Sequence, residues 1–313
     1  MKNNFYGFRQ AFEILKSKGI IRKDSSFINV MGGLVHDVRR IKSGNKIFYL
    51  KIRLDHFKTD KTIKIVPSDI NFEKRAIELL MDKCHSGTVP KLIHTQDNFL
   101  LLEDVKNSNT KCVYDMLYGQ KINSKEVWQI GREMRQFHQN SLKIKEKIRS
   151  QSDENSLYGN YLYWRFGVWK NKDLNLLIED LKEKCARQYI YGDFNPKNMF
   201  FSRGRMRLID LETFHKGNTI FDVGFFGGHI LFHFLNNKPL AKELIEEYFS
   251  GYGLNVNDYD VALRLIFATV YYRIKSSNRY KVNFFYNKKA TLIKMARILS
   301  SKKSLNLDII VSL

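Results

Sequence analysis

YIYGDFNPKNMFFSRGRMRLIDLE, residues 189–212, is the stretch around which the chain is organised. It opens on an apolar strand entry and breaks at Gly192-Asp193, with Pro196 and Asn198 close behind. Met199, Phe200 and Phe201 form a short strand, Ser202–Gly204 a polar turn, and Met206, Leu208 and Ile209 a second strand that delivers Asp210. Short apolar runs bounded by Gly and polar clusters are the pattern of two antiparallel strands. Folded so, the hairpin brings Asn198 towards Asp210, with Asp193 nearby. Two carboxylates and one amide are all oxygen donors, which suits Mg²⁺.

Phosphoryl transfer asks for such a set. One carboxylate orients the attacking hydroxyl, and a second, with an amide, holds the metal that offsets phosphate charge. Asp193-x-x-x-x-Asn198 followed by Ile209-Asp210 resembles the catalytic loop and metal-binding Asp of the protein-kinase-like small-molecule kinases. Aminoglycoside phosphotransferases, choline kinase and methylthioribose kinase are members of that family. Its usual opening is His-Gly-Asp; here Tyr191 stands first, leaving Asp193 in place and changing the packing behind it. The resemblance implies Asp193 as the orienting base, Asn198 and Asp210 as metal ligands, and Mg²⁺ with ATP as co-substrate, GTP being left open. Glu212, two residues on, is a candidate for metal or substrate.

Over the whole chain, 313 residues with 43% apolar and 13% aromatic content describe a globular protein with length for one large domain or two moderate ones. Cys84, Cys112 and Cys185 are three in number and outside any CxxC, which predicts reduced thiols in a cytoplasmic protein. MKNNFYGFRQ has no apolar signal core, and the longest apolar run, Val223–Leu235, is too short to span a bilayer and contains His229 and His233. It reads as a buried helix. The net charge of +21 raises nucleic acid as a partner. No RRM, KH or helix-turn-helix pattern accompanies it, and a lysine-rich composition is the plainer cause.

The first hundred residues read as a nucleotide-binding lobe. Phe5–Lys18 has apolar residues at helical spacing (Phe5, Phe8, Phe12, Leu15) and ends at Gly19. Strands follow at Phe27–Val30, Val38–Ile41 and Ile47–Arg53. The turn between the first two carries Gly32 and Gly33, where backbone N–H groups can approach a phosphate. Lys51 sits between apolar neighbours in its strand, a position that asks for an anionic partner. Residues 71–83 form a helix, with Asp69 as a cap and Glu73 in the first turns. The resemblance pairs Lys51, on the phosphates, with Glu73; Glu78 lies on another face. Arg53–Pro67 is a long basic connection (Lys58, Lys61, Lys64), either folded over the phosphates or a mobile loop. Phe99–Val105 is an apolar strand that the resemblance makes the hinge, with the backbone of Glu103 and Val105 on the adenine edge. The division expected is residues 1–104 and 105–313.

The remainder is helical. In Val127–His138, Ile130, Met134 and Phe137 recur at helical spacing, and His138 reads as a packed core histidine. Ser156–Trp169 is rich in Tyr and Trp, either core or the wall of a substrate cleft. Asp222, in Phe221-Asp222-Val223-Gly224, either caps its helix or, as the family implies, braces the catalytic loop through backbone N–H bonds. Residues 270–313 hold ten Lys or Arg against the single acid Asp308. A polycationic acceptor is disfavoured there, so a neutral or anionic alcohol such as a sugar or thiosugar is expected, with Arg273 a candidate contact. The alternatives are an aminoglycoside or choline-type acceptor, or an inactive kinase-like binding module. The fold expected is α+β, a bilobal kinase-like architecture with a five-stranded antiparallel N-lobe sheet and a mostly helical C-lobe.

Overall fold

The computed structural model describes residues 5–30, 33–85, 87–149, 188–275, 281–301 and 303–313. Gly32, Cys185 and the aromatic stretch Ser156–Trp169 lie outside the described residues. The chain forms two compact units, residues 1–106 with Ile209–Glu212, and residues 107–208 with 213–313.

The first unit is a five-stranded antiparallel sheet with two helices. Helix α1 (Phe8–Ser17) leads into β1 (Ser26–Asn29), β2 (His36–Ser43) and β3 (Lys46–Arg53). Helix α2 (Ile70–Lys83), β4 (Leu92–Gln96) and β5 (Phe99–Glu103) complete it. The strand order is β1-β2-β3-β5-β4, and each neighbouring pair runs antiparallel. Successive strand side chains face opposite ways. On β3, Phe48, Leu50 and Ile52 therefore point into the core formed with Ala11, Phe12 and Leu15 of α1. Lys51 and Arg53 share the other face. Phe5, counted with the first helix from its spacing, precedes it and is half exposed. Asp69 occupies the N-cap position of α2 without a side-chain capping bond; its carboxylate lies 3.7 Å from Arg53 Nη2 instead.

The connection between β3 and α2 doubles back on itself through a His56–Lys64 bridge. Lys58 N–H donates to Leu34 O (2.8 Å) and Leu54 N–H to Val35 O (2.9 Å). These bonds tie the segment to the turn that carries Gly33, while Lys58, Lys61 and Lys64 stay exposed.

The second unit is mostly helical. Strand β6 (Lys111–Cys112) is followed by α3 (Val113–Tyr118) and α4 (Ser124–Ser141). Next come β7 (Gln188–Ile190), β8 (Met199–Ser202), β9 (Arg205–Leu208) and β10 (His215–Gly217). Helices α5 (Thr219–His233), α6 (Lys238–Tyr252), α7 (Tyr259–Lys275), α8 (Lys288–Leu299) and α9 (Asp308–Val311) follow. The β8–β9 hairpin turns through Arg203 and Gly204, both at positive φ (50° and 73°). That geometry matches the right-handed twist of the strands it joins.

Helix α5 is apolar on every side and buried along its length, as an all-round hydrophobic helix must be. Its N-cap is Asn218, whose side chain accepts from Ile220 N–H. Asp222 is thereby free for the loop-bracing role. Helices α4 and α6 approach closely where glycines meet: a Cβ on Gly251 would stand 2.1 Å from Trp128 O, and one on Gly131 2.4 Å from Tyr248 O. No helix among the described residues is long and apolar enough to cross a membrane.

Candidate active site

In the first unit the site is built on the polar face of β3. Lys51 Nζ lies 2.7 Å from Glu73 Oε2 and 2.5 Å from Asp210 Oδ1. Lys51 and Glu73 are both buried, so losing either partner would strand a charge at a cost of about 3–5 kcal/mol. Burial alone would lower the Lys51 ammonium, but Asp210, Glu73 and Glu212 outweigh it and hold it above its ordinary value. Burial pushes the Glu73 carboxyl up, against the pull of Lys51. Glu73 Oε1 also accepts from Leu211 N–H (3.2 Å), which fixes the backbone beside Asp210. Glu78, on another face of α2, pairs with Lys74 and Arg75 instead.

Asp210 has φ +65°, a left-handed conformation that Asp tolerates better than most side chains. Strained backbone of this kind persists where its surroundings hold it and concentrates at functional sites. Here the Lys51 ion pair and the Leu211 bond hold it.

Two further groups complete the cluster. Arg53 Nη1 donates to Glu212 Oε2 (3.2 Å). The His36 ring, buried, has Nδ1 3.6 Å from the same oxygen. Burial and then the charges of Lys51 and Arg53 lower the His36 pKa well below its usual value, so the ring is neutral. Burial and the neighbouring Asp210 charge push the Glu212 carboxyl up. His36 and Arg53 face each other across β2 and β3. Period-two alternation from Lys51 points to Arg53, but pairing with His36 depends on register, which sequence spacing does not reveal. His36, Asp210 and Glu212 each place a ligand atom within 4.8 Å of the others. Two carboxylates and a neutral imidazole are a donor set that accepts a divalent ion.

The proposed hinge residues are less uniform. Glu103, at the expected hinge, donates its N–H to Lys91 O (2.9 Å). Gly33 has φ +70° at the mouth of β2.

In the second unit the loop after β7 carries Asp193 and Asn198. Asn195 accepts from Lys197 N–H, and Pro196–Asn198 form a single 3₁₀ turn. Asn198 Nδ2 donates to Asp193 Oδ2 (3.1 Å), leaving the Asn198 Oδ1 as the kind of oxygen a metal takes. Behind the loop, Asp222 Oδ2 accepts Tyr191 N–H and Oδ1 accepts Gly192 N–H, both at 2.9 Å. Tyr191 is wholly buried and packs on Phe137 and Phe194.

Gly192 has φ +77°, and a Cβ there would stand 2.8 Å from both Thr213 O and His215 Cε1. Gly192→Ala is therefore expected to cost at least about 2 kcal/mol, from left-handed strain and overpacking together. The check is a lower urea midpoint; an unchanged midpoint would show that the turn relaxes freely.

Arg273, the candidate substrate contact, lies on α7. It is 2% exposed, with Nε and Nη2 3.2 and 2.9 Å from His229 Nε2 and the guanidinium over Phe225 and Tyr272. It is a buried charge of the helical core.

With this geometry in view, the likeness to known proteins becomes informative. Residues 132–264 match the sequence profile described as the phosphotransferase enzyme family. The matched segment makes up less than half of the chain. It holds the Asp193 loop, Asp210 and Asp222. The chain is a phosphotransferase of the class that acts on hydroxyl groups of small molecules, with the bilobal kinase-like fold. An amicoumacin kinase, hAmiN, solved with AMP-PNP, Ca²⁺ and amicoumacin, is similar at 12% identity and TM-score 0.62, covering 97% of each chain. The ADP-bound aminoglycoside phosphotransferase APH(2'')-Ib is similar at 15% identity and TM-score 0.55, over 94% of this chain and 97% of that one. Choline kinase LicA from Streptococcus pneumoniae is similar at 15% identity and TM-score 0.55, over 93% and 98%. At these identities the likeness carries the fold. No curated protein matches the phosphotransferase by sequence.

Proposed function

We propose that the phosphotransferase is a Mg²⁺- and ATP-dependent kinase that transfers the γ-phosphate to a hydroxyl of a small metabolite in the cytoplasm. The observation that carries this reading is the buried Lys51–Glu73 pair with Asp210 on the same ammonium. A buried lysine held between carboxylates is positioned for polyanionic phosphates, the use the kinase-like fold makes of it. Residues 1–104 serve as the nucleotide lobe, with Gly32 and Gly33 at the phosphates, the Glu103 carbonyl and the Val105 N–H at the adenine. Residues 105–313 serve as the catalytic and substrate lobe. Asp193 orients the acceptor hydroxyl and takes its proton, and Lys51 neutralises phosphate oxygens. Asp210 and Asn198 would hold Mg²⁺, with Glu212 as a further carboxylate on the Asp210 side. When bound, the ion supplies charge that offsets the β- and γ-phosphates.

For the acceptor, we favour a neutral or anionic alcohol, a sugar or thiosugar-like compound. Lys197, between Asp193 and Asn198, is exposed, with its ammonium over the Tyr114 ring at 4.8 Å. Arg273 adds a buried positive charge: with burial as the larger cause, it helps push His233 down to about 4. Like charges lower affinity for a polycation. The second reading, an aminoglycoside or choline-type acceptor, draws on the names of similarly folded kinases. Turnover of kanamycin-type aminoglycosides, choline, sugars and sugar acids with ATP or GTP separates the two. The expected result is turnover confined to uncharged or acidic alcohols. Efficient phosphorylation of aminoglycosides with none of the sugars would reverse the assignment.

A further inference from the structure

Buried polar groups must find partners, so a chain of them has a defined proton order. One such chain crosses α4, α5 and α6. His138 Nδ1 lies 2.9 Å from the Tyr252 hydroxyl, and His138 Nε2 lies 3.0 Å from Asp222 Oδ2. Asp222, fully buried, holds the Tyr191 and Gly192 N–H groups directly before Asp193. The close glycine crossing of α4 and α6 at Gly131 and Gly251 is what brings Tyr252, the next residue, within reach of His138.

The order of protons follows from the partners. A carboxylate already receiving two backbone N–H bonds is an acceptor, so His138 Nε2 carries the proton. In the neutral ring Nδ1 is then the lone pair, and the Tyr252 hydroxyl donates to it. Burial pushes that hydroxyl up to about 12, against the opposing Thr219 hydrogen bond, so its proton is present at neutral pH.

We propose that Tyr252 and His138 are positioning residues for the Asp193 loop. The Tyr252 hydroxyl fixes the Nε2–H tautomer of His138, and that tautomer locks the Asp222 carboxylate onto Tyr191 and Gly192. Neither side chain is assigned contact with substrate. Each acts through Asp222, and the proposal rests on the reading of Asp193 as the orienting base. Removing the hydroxyl leaves Nδ1 without its donor, frees the ring to exchange tautomers, and loosens the carboxylate that holds both N–H groups.

The test uses the full chain with ¹⁵N-labelled histidine, the His138 ring signals being assigned by their loss in His138→Gln. The wild type is expected to show a neutral Nε2–H ring, and Tyr252→Phe a mixture of tautomers. In Tyr252→Phe the Gly192 amide should exchange about 10-fold faster, and kcat fall about 10-fold with KM for ATP within about two-fold, the scale of lost orienting partners. An Nδ1–H ring or an imidazolium in the wild type overturns the proposal, as does unchanged Gly192 exchange in Tyr252→Phe. The wild-type ring measurement is decisive even if that variant fails to fold. Should the ring and exchange results hold in a wild-type chain without kinase turnover, the loop-locking stands and the reading of Asp193 falls.

Discussion

Asp193→Asn is expected to lower turnover at least about 10²-fold, the scale of general base catalysis, while ATP affinity changes by no more than a few-fold. The substitution is nearly isosteric, and an asparagine side-chain oxygen can still accept the Asn198 Nδ2–H bond that Asp193 Oδ2 now takes. The loop is also held from behind, through the Tyr191 and Gly192 N–H bonds to Asp222, and these do not involve the Asp193 side chain. What the variant loses is the carboxylate that accepts the hydroxyl proton. Single-turnover measurements at saturating ATP check this directly. Near wild-type turnover would mean that the catalytic base lies elsewhere.

Asp210→Ala is expected to abolish the Mg²⁺ dependence of nucleotide binding, weakening Mg·ATP by at least about 10²-fold, since a metal supplies several kcal/mol of charge stabilisation. Asp210 is bound to Lys51 at 2.5 Å and lies within ligand distance of Glu212 and His36. Truncation leaves Lys51 paired with Glu73 alone and removes the carboxylate common to the ion pair and the metal set. Calorimetric titration with Mg·ATP and with metal-free ATP separates the two contributions. Unchanged Mg·ATP binding in the variant would exclude Asp210 as the principal ligand.

Much of this architecture is legible along the chain because it is local. Period-two alternation marks β3 and puts Lys51 opposite its apolar neighbours, and helical spacing puts Glu73 and Glu78 on different faces of α2. The hairpin at 199–208 is written in its own strands and turn. All-round apolarity marks α5 as buried. Other features depend on which elements meet. His36 joins Arg53 and Glu212 through the register of β2 on β3, and register is a relation between strands. Asp222 left open two roles, capping and bracing; Asn218 takes the cap, and the backbone of residues 191 and 192 takes the carboxylate. The positive φ of Asp210 is held by bonds from β3 and α2, 137 or more residues away in sequence. Arg273 follows an apolar run, but only helix packing turns it onto His229. Tyr252 carries no local mark at all, because its bond to His138 exists only where two glycines let α4 and α6 touch. Periodicity records which face of an element is apolar; long-range packing chooses what each polar group on the other face will meet.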